Sequence, residues 1–178
     1  TLGLAFIVVA TGIVYVLWPG ANQTPVVSTP VIEVNPSPQH EVIGHSVEGR
    51  SIDAYTYGTG AIRLGFVGGV HGGYEWNGVL LAYSLMDYLS ANPESIPATL
   101  SVSVIPNANP DGVHKVIGAE GRFASTDVPK GIALDAGRFN ARDVDLNRNF
   151  ACKWQATSKW KGTVTSAGTA PFSEPEAR

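Results

Sequence analysis

The sequence predicts an α/β fold: a mixed, mostly parallel sheet with flanking helices, preceded by a transmembrane or signal helix. Three observations point to it. Short apolar, β-branched runs at 51–57, 61–67 and 99–105 read as strands. A helical stretch of about 76–91 separates the last two, and strand–helix–strand order sets at least one parallel pair. Ahead of everything, residues 2–18 (LGLAFIVVATGIVYVLW) carry no charge and no proline.

From the N-terminus, residues 2–18 are apolar on every face, end in Trp18 and precede Pro19-Gly20. Roughly 17 residues at about 1.5 Å each span about 26 Å, close to the hydrocarbon thickness of a bilayer. Residues 1–18 therefore read as a membrane anchor or uncleaved signal. Thr1 in place of Met reads as a missing N-terminus. Residues 19–40 are rich in Pro, Ser, Thr and Asn and read as a linker or stalk. The globular part is expected over 41–178.

Within it, 51–57 is a strand after a Gly49-Arg50 turn, and 61–67, apolar apart from Arg63, is expected to be largely buried. A glycine-rich turn follows over 68–73. In the helix, Leu81, Leu85 and Tyr88 share one face with Trp76, Leu80 and Tyr83 beside it, and Asn92-Pro93 stops it. Residues 107–169 read mostly as loop, and so long an irregular stretch has a binding role as its usual reason. Ser173-Glu174-Pro175-Glu176 has the spacing of a capping box. This helix start, with only two residues after it, reads as a truncation.

Composition narrows the function. The net charge is −3 and no basic stripe stands out, so no nucleic-acid partner is expected. The single cysteine, Cys152, excludes an internal disulfide framework and is expected to be a buried thiol. Gly44-His45-Ser46 does not continue as a nucleophile elbow, because the next glycine is Gly49. His40, His45 and His114 lack metal-ligand spacing and read as surface residues.

Three clusters carry chemistry. His71 lies just past a strand end in VGGVHGGYEWN, where ligands of open α/β sheets bind. Glu75 is four residues on, and a His and Glu so placed can reach one zinc ion. The same glycines do not spell G-x-G-x-x-G, nor is there a G-K-[ST]. Asn109-Pro110-Asp111-Gly112 reads as a turn by residue type. Arg138, then Asp145-Leu146-Asn147-Arg148-Asn149-Phe150, combine guanidinium forks with neutral amides, a set suited to carboxylates. Arg142 is expected to face solvent.

Together these segments resemble the carboxypeptidase A-like zinc metallopeptidases, in family order: 68–75, 109–112, 138–140, 145–150 and 173–176. The resemblance implies a carboxypeptidase-like fold in truncated form, with the 41–178 region as the N-terminal portion of the domain. It implies Zn2+ as cofactor, His71 and Glu75 as two of three metal ligands, Arg138 as the oxyanion-stabilising arginine, and Asn147 and Arg148 as the holders of a substrate's terminal carboxylate. The expected partner is a peptide with a free C-terminal carboxylate, and the expected activity is release of C-terminal residues. Relatives that cut γ-glutamyl–diamino acid bonds of cell-wall peptides, zinc deacylases and inactive peptidase-like binding modules are the alternatives. The family spaces its first two ligands His-x-x-Glu, whereas here Tyr74 holds that position and Glu75 follows. The family's third histidine ligand, capping tyrosine and general-base glutamate belong beyond the SEPE segment. The expected location is extracytoplasmic, membrane-anchored or secreted, with the membrane reached through the N-terminal segment.

Overall fold

The computed structural model describes residues 37–129 and 134–178, together with the backbone of Val9–Ala10 and Ile13–Val14. Those two pairs form a two-residue antiparallel ladder of their own. The rest of the expected anchor and most of the expected linker lie outside the described residues. Among the described residues no helix is long and apolar enough to cross a membrane.

The main sheet has four strands: β1 (Gln39–His45), β2 (Ser51–Tyr57), β3 (Ile62–Val67) and β4 (Leu100–Ile105), in the order β1-β2-β4-β3. β1 begins at Gln39, within the stretch expected to be linker. It meets β2 antiparallel, with a register shift between Val42 and Gly44. β2 also runs antiparallel to β4. Only β3 and β4 are parallel, Leu64 beside Val102 and Phe66 beside Val104. The sheet is mixed as expected but not mostly parallel. The correction has a simple cause: one helix, α1 (Trp76–Ala91), makes a crossover, while the remaining neighbours meet head to tail.

β3 is the second correction. Ile62, Leu64, Phe66 and Val67 are all exposed. Among the described residues β3 is an edge strand with β4 as its single partner, and its apolar side chains have no further strand beside them.

One face of the sheet carries the core. Tyr57, Val102 and Val104 pack against Ala82, Met86 and Leu89 of α1. With Val79, the buried positions of α1 recur at 79, 82, 86 and 89, a helical stripe. Leu81 and Tyr88, placed by sequence on a shared apolar face, are instead exposed. The core stripe at 82, 86 and 89 is offset by one residue from 81, 85 and 88, which turns the buried face by about 100°.

Between 107 and 169 there is more regular structure than expected. Asn109-Pro110-Asp111-Gly112 does not make an isolated turn; it opens α2 (Pro110–Ile117). Asn109 is the cap, its side chain accepting from the Gly112 amide at 2.9 Å, and Pro110 fills the first turn where no donor is needed. Gly118, at φ 74, ends the helix in the left-handed conformation. Further on, β5 (Thr157–Trp160) and β6 (Thr163–Ser166) form a hairpin. Its turn residues Lys161 and Gly162 have φ of 49° and 81°, the sign a two-residue hairpin turn requires.

At the C-terminal end, the capping box does not form. Glu174 caps a short 3-10 turn, Pro175–Ala177, and Ser173 donates its hydroxyl to the Glu174 carboxylate at 2.9 Å. Glu174 is occupied in the interior, accepting from Asn140, and Glu176 from Val47 and Asn140. Cys152, expected to be buried, is exposed. His40 and His45 are exposed as expected, and so is Arg142.

Candidate active site

The site is assembled where three chain segments touch. Beyond β3 and β4 the ladder extends by Gly68 N to Ile105 O at 2.8 Å and Ala108 N to Gly68 O at 2.9 Å. The chain then turns through Gly72, at φ 42, into a 3-10 turn, Gly72–Glu75, that runs directly into α1. The turn fits only because glycines face it. A Cβ on Gly72 would stand 2.7 Å from Gly137 O and 2.9 Å from Gly112 Cα, and one on Gly112 would stand 2.4 Å from Gly137 O. The Gly72–Glu75 turn, the start of α2 and the turn Leu134–Gly137 therefore meet backbone to backbone. His71 and Arg138 are the residues next to these contacts.

His71 is 7% exposed. Its surroundings are polar, not apolar. Nδ1 lies 3.0 Å from the Glu75 carboxylate and Nε2 lies 3.3 Å from the Asp145 carboxylate. Neither ring nitrogen has the alignment of a hydrogen bond among the described residues. A buried imidazole with a carboxylate oxygen beside it, close but out of line, suits a cation shared by the two. The extra residue between them does not separate His71 from Glu75; it leaves them at i and i+4 on one side of the turn. Among the described residues no group of three or more His, Cys, Asp or Glu side chains gathers as a metal site.

Asp145 is the residue whose role sequence reasoning missed. It is 1% exposed and lies between His71 and Arg138. One oxygen faces His71 Nε2 and accepts the Asn147 amide at 3.2 Å; the other accepts from Arg138 Nη2 at 2.9 Å. Burial alone would raise the Asp145 carboxyl, but its contacts with His71 and Arg138 and the charge of Arg138 outweigh burial and hold it below the usual carboxylate range. Carboxylates thus face both ring nitrogens of His71; a cation held between Nδ1 and Glu75 would leave Nε2 to carry the ring proton on the Asp145 side. The signal available in the sequence was the position of an acid immediately ahead of Leu146-Asn147-Arg148.

Arg138 is buried and joins this line, so His71, Glu75, Asp145 and Arg138 form one chain of contacts. Asn147 and Arg148 sit on the next 3-10 turn, Leu146–Arg148, and both are exposed. Arg148 donates from Nε to Ser158 Oγ at 3.1 Å. With Asn147 it lines an open cavity of about 480 Å³ that also touches Phe150, Trp154 and Ser158. Neither makes a hydrogen bond or ion pair with His71, Glu75 or Arg138 among the described residues. Arg138 and the Asn147–Arg148 pair thus belong to two adjoining parts of the site, joined through Asp145.

The remaining motif residues brace the frame. Asp111 accepts from Ser46 Oγ at 2.6 Å, from the Glu48 amide at 3.1 Å and from Arg50 at 2.8 Å, tying α2 to the β1–β2 turn. Asn149, fully buried, donates to Ala167 O and Ala170 O and accepts from the Glu174 amide.

The geometry agrees with what the chain is similar to. Human carboxypeptidase Z is 34% identical over 90 residues, 47% of this chain and 13% of that protein. The rat protein of the same name matches equally, 34% over 90 residues, 47% of this chain and 13% of its length. Among solved structures, bovine thrombin-activatable fibrinolysis inhibitor superposes with a TM-score of 0.57 at 19% identity, over 79% of this chain and 46% of that one. Carboxypeptidase A from Helicoverpa armigera gives 0.53 at 24% identity, over 80% and 36%. The chain thus spans less than half of the relatives it matches, and the structural likenesses show the fold alone. The zinc carboxypeptidase family matches residues 35–178, the whole of the α/β unit, and the chain belongs to that family.

Proposed function

We propose that the complete protein is a zinc-dependent metallocarboxypeptidase that removes C-terminal residues from peptides outside the cytoplasm, tethered through residues 2–18. The observation that carries the reading is the buried His71 ring, with Glu75 at Nδ1 and Asp145 at Nε2.

His71 and Glu75 would hold the metal. When bound, zinc supplies Lewis acidity, polarising the scissile carbonyl and acidifying a water. With a metal at Nδ1, Asp145 would stand beside the ring proton on Nε2 and orient the imidazole. Arg138 offers a fixed cation to the oxyanion, and because that charge is larger in the transition state than in the substrate, its contribution falls on turnover. Arg148 and Asn147 take the terminal carboxylate of the peptide in their open cavity, a charge present in substrate and transition state alike.

One experiment tests the reading. The full-length protein is expressed, fractionated and assayed with peptides that end in a free acid or an amide. Free-acid peptides should lose their last residue in the membrane fraction, with activity lost to a chelator and restored by zinc. Arg148→Ala should raise KM for free-acid peptides by roughly 10–100-fold, the worth of a charge-assisted hydrogen-bond pair, and leave amidated ones little changed. Equal loss on both would contradict the carboxylate assignment. A full-length protein that takes up no zinc and cuts neither peptide would favour a binding module.

A further inference from the structure

Tyr74, which stands between His71 and Glu75 where the family's shorter spacing would place the glutamate, has a specific neighbour. Its ring meets Trp160 edge-on, with centroids 5.3 Å apart and planes at 88°. Trp160 stands at the tip of the β5–β6 hairpin, and Phe139 meets the same indole edge-on at 5.7 Å. Over these rings lies the Arg138 guanidinium, its carbon 4.9 Å from the Trp160 centroid and 5.7 Å from that of Tyr74. The hairpin tip is moored nearby: Lys161 Nζ is 4.6 Å from the Trp160 centroid and 3.0 Å from both carboxylate oxygens of Asp135.

Arg138 is therefore held by one carboxylate, Asp145, and by two aromatic rings. Its Nε is buried with no hydrogen-bond partner among the described residues. That combination suits an arginine kept in place yet still short of acceptors. A second carboxylate would fix the guanidinium more tightly but would occupy its donors. Aromatic faces restrain a planar cation and leave the in-plane N–H groups unspent.

We propose that Trp160 and Tyr74 are positioning residues that clamp the Arg138 guanidinium for a substrate oxygen, and that the tyrosine of the longer turn and the hairpin tip act as a matched pair. The proposal deepens the carboxypeptidase reading and rests on it. On this view the longer ligand turn is not a damaged motif. Tyr74 in that turn supplies the ring that seats Trp160, and Trp160 supplies the face that seats Arg138.

The test uses the zinc-loaded, full-length enzyme with Trp160→Leu, Trp160→Phe and Tyr74→Ala. Trp160→Leu should lower kcat about 10-fold with KM within about 2-fold, the scale of one desolvated cation–π contact expressed as a rate. Trp160→Phe, which keeps a π face, should recover most of it. Independently of activity, modification of Arg138 by phenylglyoxal, followed by peptide mass spectrometry, should speed up several-fold in Trp160→Leu and Tyr74→Ala but not in Trp160→Phe. An unchanged kcat together with an unchanged modification rate in Trp160→Leu would overturn the proposal. So would a Trp160→Phe protein as impaired as Trp160→Leu with lowered thermal stability, since that marks packing alone. If the wild-type enzyme cleaves no peptide, the functional reading fails, and the arginine modification rates still decide the clamp.

Discussion

Asp145→Asn is the substitution that separates the site's architecture from its surroundings. The carboxylate is 1% exposed, and Arg138 beside it is 5% exposed. At 2.9 Å the pair is in direct contact. Two unit charges about 4 Å apart attract by about 4 kcal/mol at an effective dielectric of about 20, and desolvation offsets part of that. The asparagine keeps the shape and an oxygen for the Asn147 amide but strands the buried guanidinium. Breaking a buried pair from one side costs about 3–5 kcal/mol. For a protein of this size about 1 kcal/mol moves Tm by roughly 2–4 °C, so a fall of about 10 °C is expected. The measurement is thermal unfolding of the metal-free protein, because bound zinc would add its own stabilisation. Arg138→Met on the same background should recover part of the loss, since removing both charges leaves neither stranded. Zinc affinity, read by competition with a chromophoric chelator, should fall roughly 10–100-fold as His71 loses its orienting carboxylate. A Tm within a degree of wild type, or an Asp145→Asn effect simply additive with Arg138→Met, would refute the coupling. Unchanged zinc affinity would refute the claim that Asp145 orients His71.

Two further predictions probe the frame. Burial pushes the Tyr83 hydroxyl up to about 12, with Tyr55 adding to the rise and Arg122 opposing it. Because the folded value lies above the ordinary value of about 10, stability is full below pH 10 and declines between 10 and 12. Tyr83→Phe should flatten that decline in urea titrations at stepped pH; an identical pH slope would count against it. Gly72→Ala places a Cβ 2.7 Å from Gly137 O at φ 42, and should cost about 2–4 kcal/mol from overpacking and the left-handed backbone. Gly44→Ala, with nothing within 4 Å of its Cβ, is the control and should shift the urea midpoint little. Equal midpoints for the two would show that the three segments are not in backbone contact.

Much of the fold was legible because its signals are local. The strand at 51–57 and the helix at 76–91 match their observed bounds, and 99–105 overshoots β4 by one residue. Periodicity reports what a segment can bury, however, and not which neighbours it meets. That is why β3 read as buried although it is an edge, and why Leu81 read as core. For α2 the signals were present but assigned to a turn: Asn-Pro at the start, Val113 and Val116 on one face, Gly118 at the end. In the candidate site, His71, Glu75 and Arg138 were named from motif order and the family resemblance. Asp145, Tyr74 and Trp160 were not, because their roles depend on segments that meet only in three dimensions.

That meeting explains how chemistry is distributed along this chain. Gly72, Gly112 and Gly137 belong to three separate motifs, and each would clash with another if it carried a Cβ. The glycines thus set the distance between backbones, and two side chains of the candidate site are their neighbours: His71 before the first, Arg138 after the last. A contact fixed by backbone leaves the side chains on its rim free to answer to polar partners, which here are Glu75, Asp145 and the ring of Trp160. Placement and electrostatics are therefore separable. Substitution at the glycines should displace the whole group at once, while substitution at Asp145 or Trp160 should change one member's charge or seat with the backbone contact intact. The longer turn between His71 and Glu75 is accommodated on the same terms: its backbone packs on Gly112 and Gly137, and Tyr74 meets Trp160 at the hairpin tip.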